Sequence, residues 1–134
     1  MAYKRRATRS VQLDANHEQI VTHLIRLGFE VIVTLEPVDC LVYNKEIQRA
    51  GWIEIKTKAR NTNIKRSQIE FLAKTEMPAC FAMTAEDAAE FARTMNGLTQ
   101  KEKDNLGIFL LDTEDTKDKK NAYHPAVIER VLKW

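Results

Sequence analysis

The chain has 134 residues, 44% of them apolar and 30% charged, a balance expected of one soluble globular domain over residues 1–134. No apolar run approaches the roughly 20 residues that a bilayer span needs, which excludes a membrane-spanning class, and residues 1–9 are basic with no apolar core of a signal peptide behind them. The net charge of +2 hides an asymmetry: residues 1–66 carry 12 Lys/Arg against 7 Asp/Glu, and residues 67–134 carry 9 against 12, so a polyanion is the expected partner of the first half.

Residues 1–10 form a basic arm containing Lys4, Arg5, Arg6 and Arg9, either a frayed terminus or a segment that touches DNA. Residues 15–27 are predicted as a helix. Asp14 can cap it, Ile20, Val21, Leu24 and Leu27 recur at helical spacing, and Gly28 stops it. Residues 29–35 read as a strand that Pro37 breaks. A second strand follows over residues 37–43, with Asp39 its only charge. The polar stretch 44–51 suits a hairpin loop, and a third strand opens at Trp52. Residues 59–66 are a polar, basic loop, and Ser67 starts a short helix with Ile69, Leu72 and Ala73 on its apolar side. Residues 79–83 are a further short strand. Thr84 caps a helix through Met95, with Glu86 and Asp87 in its first turn and Gly97 beyond its end. Residues 98–106 are a short helix, 108–111 the last core strand, and 112–121 an exposed charged loop. Val127, Val131 and Leu132 mark a C-terminal amphipathic helix. Cys40 and Cys80 sit in strand-like apolar contexts and read as reduced core residues, which suits the cytoplasm. The expected architecture is α/β, a central mixed sheet with an antiparallel hairpin core flanked by helices.

The chemistry concentrates in Trp52-Ile-Glu-Ile-Lys56. Side chains alternate faces along a strand, so Glu54 and Lys56 point the same way out of an otherwise apolar run. Antiparallel pairing with the preceding strand would bring Asp39 beside Glu54. Two carboxylates and a lysine can hold a divalent cation and orient water for phosphodiester cleavage. The chain has two more acid-x-Lys triplets, Asp115-Thr-Lys117 and Asp118-Lys-Lys120, but both fall in the charged loop. An exposed ion pair stabilises little and is a poor reason to interrupt an apolar strand.

Pro37-Val-Asp39 followed by Glu54-Ile-Lys56, with an acid-bearing helix before and another helix after, resembles the PD-(D/E)XK nuclease superfamily over roughly residues 4–95. Two subgroups are similar: the VRR-NUC-type nucleases and the small archaeal-type Holliday junction resolvases. Here one residue, Val38, separates proline from aspartate, a departure from the bare motif. The resemblance implies a restriction-endonuclease-like fold and a DNA endonuclease dependent on Mg²⁺ or Mn²⁺, with junctions or branched DNA as candidate substrates. It implies metal ligation by Asp39, Glu54 and the Ile55 carbonyl, with Glu18 completing the shell. Asp14, Asn16 and His17 are alternatives to Glu18. Lys56 would act on the water or the transition state, and Gln68 matches a glutamine that supports the site from the following helix. Lys58, Arg60, Asn61, Lys65 and Arg66, leaving the catalytic strand, would contact phosphates, joined by Arg5 and Arg6. A homodimer is a further expectation, with Val127, Val131 and Trp134 as one seam, though the same stripe fits a helix docked on its own core. The competing readings are a non-catalytic nucleic-acid-binding domain of the same fold and a protein-interaction domain.

Overall fold

The structure, a computed structural model, describes residues 4–5, 15–56, 63–113 and 122–133. It is an α/β fold built on a mixed sheet in the order β1-β2-β3-β4-β6. The centre is an antiparallel meander of β2 (Glu30–Val33), β3 (Cys40–Asn44) and β4 (Arg49–Ile55). β1 (Lys4–Arg5) joins β2 in parallel, and β6 (Ala79–Ala82) joins β4 in parallel. The predicted N-terminal arm is thus partly a strand, with Lys4 opposite Ile32 and Arg5 opposite Val33. Strand 4 starts earlier than predicted: the loop assigned to residues 44–51 yields Arg49, Ala50 and Gly51 to the ladder. Gly51 makes room there for the covering helix: a Cβ would come within 2.5 Å of the Phe91 ring, which would have to shift.

Helix α1 (Ala15–Arg26) and helix α3 (Ala85–Thr94) cover one face of the sheet. Ile20, Val21 and Leu24 of α1 and Ala88, Phe91 and Ala92 of α3 pack on Val31, Val33, Cys40, Val42, Ile53 and Ile55. Local signals set the ends of these helices. Gly28 at φ 97° follows α1, and the Thr84 hydroxyl accepts the Asp87 N–H at 3.1 Å ahead of α3. Cys40 is buried and Cys80 partly so; both are free, and burial pushes both thiols up, as expected of inert core cysteines.

The other face takes α2 (Arg66–Lys74), with α4 (Gln100–Asp112) and α5 (Pro125–Leu132) stacked beyond it. Trp52 and Phe71 meet edge to face at 5.4 Å where α2 crosses the sheet. The predicted strand at 108–111 is the last turn of α4. Thr99 and Glu102 form a capping box that starts the helix. Leu106, Phe109 and Leu110 recur at helical spacing and are buried, while Ile108 and Leu111 face outward. Asp112 ends that helix rather than opening the charged loop, whose residues 114–121 lie outside those described.

Two strands that the sequence reading passed over, β5 (Ile64–Lys65) and β7 (Ala122–Tyr123), pair antiparallel and lead into α2 and α5. β5 replaces part of the predicted 59–66 loop. The C-terminal stripe docks on its own chain: Ile128 and Val131 are buried against Leu106, Phe109 and Leu110, and Val127 packs beside them. That seam is therefore not free for a second copy; Trp134 is outside the described residues. Among the described residues no helix is long and apolar enough to cross a membrane.

Candidate active site

The β3–β4 ladder ends at Cys40 opposite Ile53, and its register would place Asp39 opposite Glu54. Side chains close the ladder at this point. The Asp39 N–H donates to Glu54 Oε1 at 3.1 Å, and the Ile55 N–H donates to Asp39 Oδ2 at 2.7 Å. Gln68, buried on α2, donates its Nε2–H to the same Glu54 Oε1 at 3.2 Å. Its Oε1 accepts the Lys65 N–H at 3.0 Å, which orients the amide. Glu54 Oε1 is thus held by two donors. Among the described residues, Glu54 Oε2 has no hydrogen-bond partner and faces Lys56 Nζ at 3.7 Å.

Glu54 is fully buried on the α2 face, while Lys56 keeps 19% of its side chain exposed. Burial holds the Glu54 carboxyl well above the usual carboxylate range; the neighbouring Asp39 charge raises it further, and Lys56 pulls it back only in part. A buried carboxylate with one oxygen unbonded is an unfavourable element of a core. It becomes favourable when a cation shares that oxygen.

The structure brings Asp39, Glu54, Lys56 and Gln68 together, as expected. The Ile55 N–H faces β3, and in an extended strand the carbonyl of the same residue faces the same neighbour, so it lies on the Asp39 side. Glu18 is exposed on α1, and among the described residues no three His, Cys, Asp or Glu side chains form a metal-holding group. The structure does not join Glu18 to the acid pair. Asn16 donates to the Met83 carbonyl at 3.3 Å, which ties the start of α1 to the end of β6, and His17 is buried.

The phosphate-contact set divides. Lys65 is exposed on β5 beside the site. Arg66 is engaged within the fold. Its guanidinium donates to the Thr113 hydroxyl at 2.9 Å, the Tyr123 hydroxyl at 3.2 Å and the Leu110 carbonyl. It closes the C-terminus of α4, where unpaired carbonyls and the helix dipole favour a cation. Removing it in Arg66→Ala is expected to lower stability by about 1–3 kcal/mol, read by urea unfolding, with no change in the salt dependence of DNA binding. Lys58, Arg60, Asn61 and Arg6 lie outside the described residues, as does the side chain of Arg5.

The fold and site define an α/β domain in which a buried glutamate, a half-buried aspartate and a lysine meet at the C-terminal end of a central strand. No protein-family model, curated protein or solved structure matches the chain.

Proposed function

We propose that this protein is a metal-dependent DNA endonuclease that hydrolyses phosphodiester bonds. The observation that carries the reading is the buried Glu54 carboxylate, with Oε1 held by Asp39 and Gln68 and Oε2 left beside Lys56. Most buried polar atoms in a fold are hydrogen-bonded, and among the described residues Glu54 Oε2 has only the Lys56 ammonium at 3.7 Å. The donor set is oxygen throughout, which suits Mg²⁺ or Mn²⁺. Asp39, Glu54 and the Ile55 carbonyl would hold the ion. Bound there, it would neutralise charge on the scissile phosphate and acidify a water.

The remaining work belongs to the chain's own groups. Lys56 sets an ammonium beside Glu54 Oε2, where it can steady a water or the charge that builds on the phosphoryl oxygens. Gln68 and the Asp39 N–H fix the rotamer of Glu54 so that Oε2 is the oxygen presented. The basic run after β4 supplies phosphate contacts that position the duplex without reading sequence.

A plasmid nicking assay with Mg²⁺ or Mn²⁺ tests the reading. Metal-dependent nicking supports it; DNA binding with no cleavage under either ion favours the non-catalytic binding domain. A panel of labelled junction, flap, duplex and single-stranded substrates then separates the substrate classes. Neutralising Lys58 or Arg60 is expected to weaken binding alike for every sequence and to flatten the salt slope by about one. Titrations across a salt series check this, and an unchanged slope would remove that loop from the interface.

A further inference from the structure

We propose that Thr34 is a positioning residue for the acid pair: its hydroxyl holds the Val38–Asp39 peptide turned out of the ladder, and the turned peptide aims Asp39 and Glu54 at each other. The Trp52 N–H donates to Pro78 on the β6 side, so Gly51, Ile53 and Ile55 face β3. Continuing the register, the Ile55 N–H would find the Val38 carbonyl, and the Asp39 N–H would turn away toward β2. Neither happens. The Val38 carbonyl accepts from the Thr34 hydroxyl at 2.6 Å, on the β2 side. The Asp39 N–H, on the same peptide unit, donates to Glu54 Oε1 on the β4 side. Both ends of one peptide are reversed together, which is what a flip about the chain axis produces.

The flip has two consequences for the site. It leaves the Ile55 N–H without its ladder acceptor, and the Asp39 carboxylate takes that donor. It also supplies one of the two donors that fix Glu54. The surrounding turn holds the Asp39 carbonyl in place, since Thr34 and Leu35 both donate their N–H groups to it at 3.0 and 3.1 Å. Leu35 does so at φ 63°, a left-handed conformation that a branched side chain adopts at some cost. The Thr34 hydroxyl is the side-chain group that holds the reversed carbonyl. Without it, the peptide can swing back into the ladder, pair Val38 with Ile55 and release both carboxylates.

The catalytic meaning of this lock rests on the acid pair being a metal site, so the test has a readout in the metal-free protein. Thr34→Val keeps the shape and removes the hydroxyl; Thr34→Ser keeps the hydroxyl. Backbone amide NMR of the metal-free protein reports the Asp39 and Ile55 N–H groups, and calorimetry with Mn²⁺ alone reports the site. Thr34→Val is expected to move both amide resonances and to weaken Mn²⁺ binding by about 10–100-fold, with Thr34→Ser close to wild type in both. Should the valine variant not fold, Thr34→Ala takes its place, since it also lacks the hydroxyl and asks for less room. Unmoved amides in the hydroxyl-free variant overturn the proposal, as does wild-type Mn²⁺ affinity there. Moved amides in a protein whose wild type binds no Mn²⁺ would retain the lock and overturn the metal reading instead.

Discussion

Glu54→Gln is expected to reduce DNA cleavage to background while making the metal-free protein more stable. The two effects share one cause. Glu54 is buried, its carboxyl is held above the usual range by burial and by Asp39, and its Oε2 lacks a hydrogen bond among the described residues. Glutamine keeps an acceptor for the Asp39 N–H and for Gln68 but carries no charge to desolvate. A gain of about 1–2 kcal/mol, or roughly 3–8 °C in Tm, is the expected scale. The pH dependence has a definite sign. A group whose folded pKa is raised stabilises the fold fully below its unfolded value, and that contribution is lost as pH rises through the folded pKa. Metal-free wild type should therefore lose stability as pH climbs from the ordinary carboxylate range through the raised Glu54 value, and Glu54→Gln should not. Mg²⁺ should restore stability to wild type alone, because only wild type keeps both carboxylates for the ion. Thermal melts across pH with and without Mg²⁺ check this. Asp39→Asn should abolish cleavage while sparing the fold and DNA binding. Cleavage at the wild-type rate by either variant would overturn the site.

Lys56→Ala should separate turnover from metal binding. The Lys56 ammonium lies 3.7 Å from Glu54 Oε2 and is partly exposed, so it can reach a substrate phosphate while touching the acid pair. If it acts on the water or on developing charge, its loss should lower the single-turnover rate by about 10²–10³-fold and leave Mn²⁺ affinity nearly intact. Among the described residues, Lys56 is also the cation that offsets the buried Glu54 charge in the metal-free state. A Lys56→Ala protein that loses metal affinity yet turns over normally at saturating metal would assign Lys56 a structural role.

Much of this arrangement was legible along the chain. The alternation in Trp52-Ile-Glu-Ile-Lys56 put Glu54 and Lys56 on one face, because side-chain direction in a strand depends only on parity. The Thr84 cap and the apolar stripes of α1 and α3 were readable for the same reason, each being set by residues within a turn or two of one another, and the three-strand meander because its strands follow one another through short connections. The short apolar run at 108–111 was not, since four apolar residues satisfy a strand and a helix alike. The capping box at Thr99 and the burial of Leu106, Phe109 and Leu110 on α2 and α5 decided for the helix.

Other features required the chain to return on itself. Arg66 reads as one more cation in a basic run, and only its meeting with Leu110, Thr113 and Tyr123 turns it into a helix-terminal lock. Gln68 gained its link to Glu54 from the packing of α2 on the sheet, across 14 residues of sequence. Thr34 carries no signal as a residue type. What the sequence by itself determined is which strand carries the charges and which way they face. Tertiary structure alone decided which oxygen of Glu54 is held and which is left without a hydrogen bond among the described residues, because hydrogen bonds between distant segments follow the placement of whole elements, whereas parity and capping follow from neighbours.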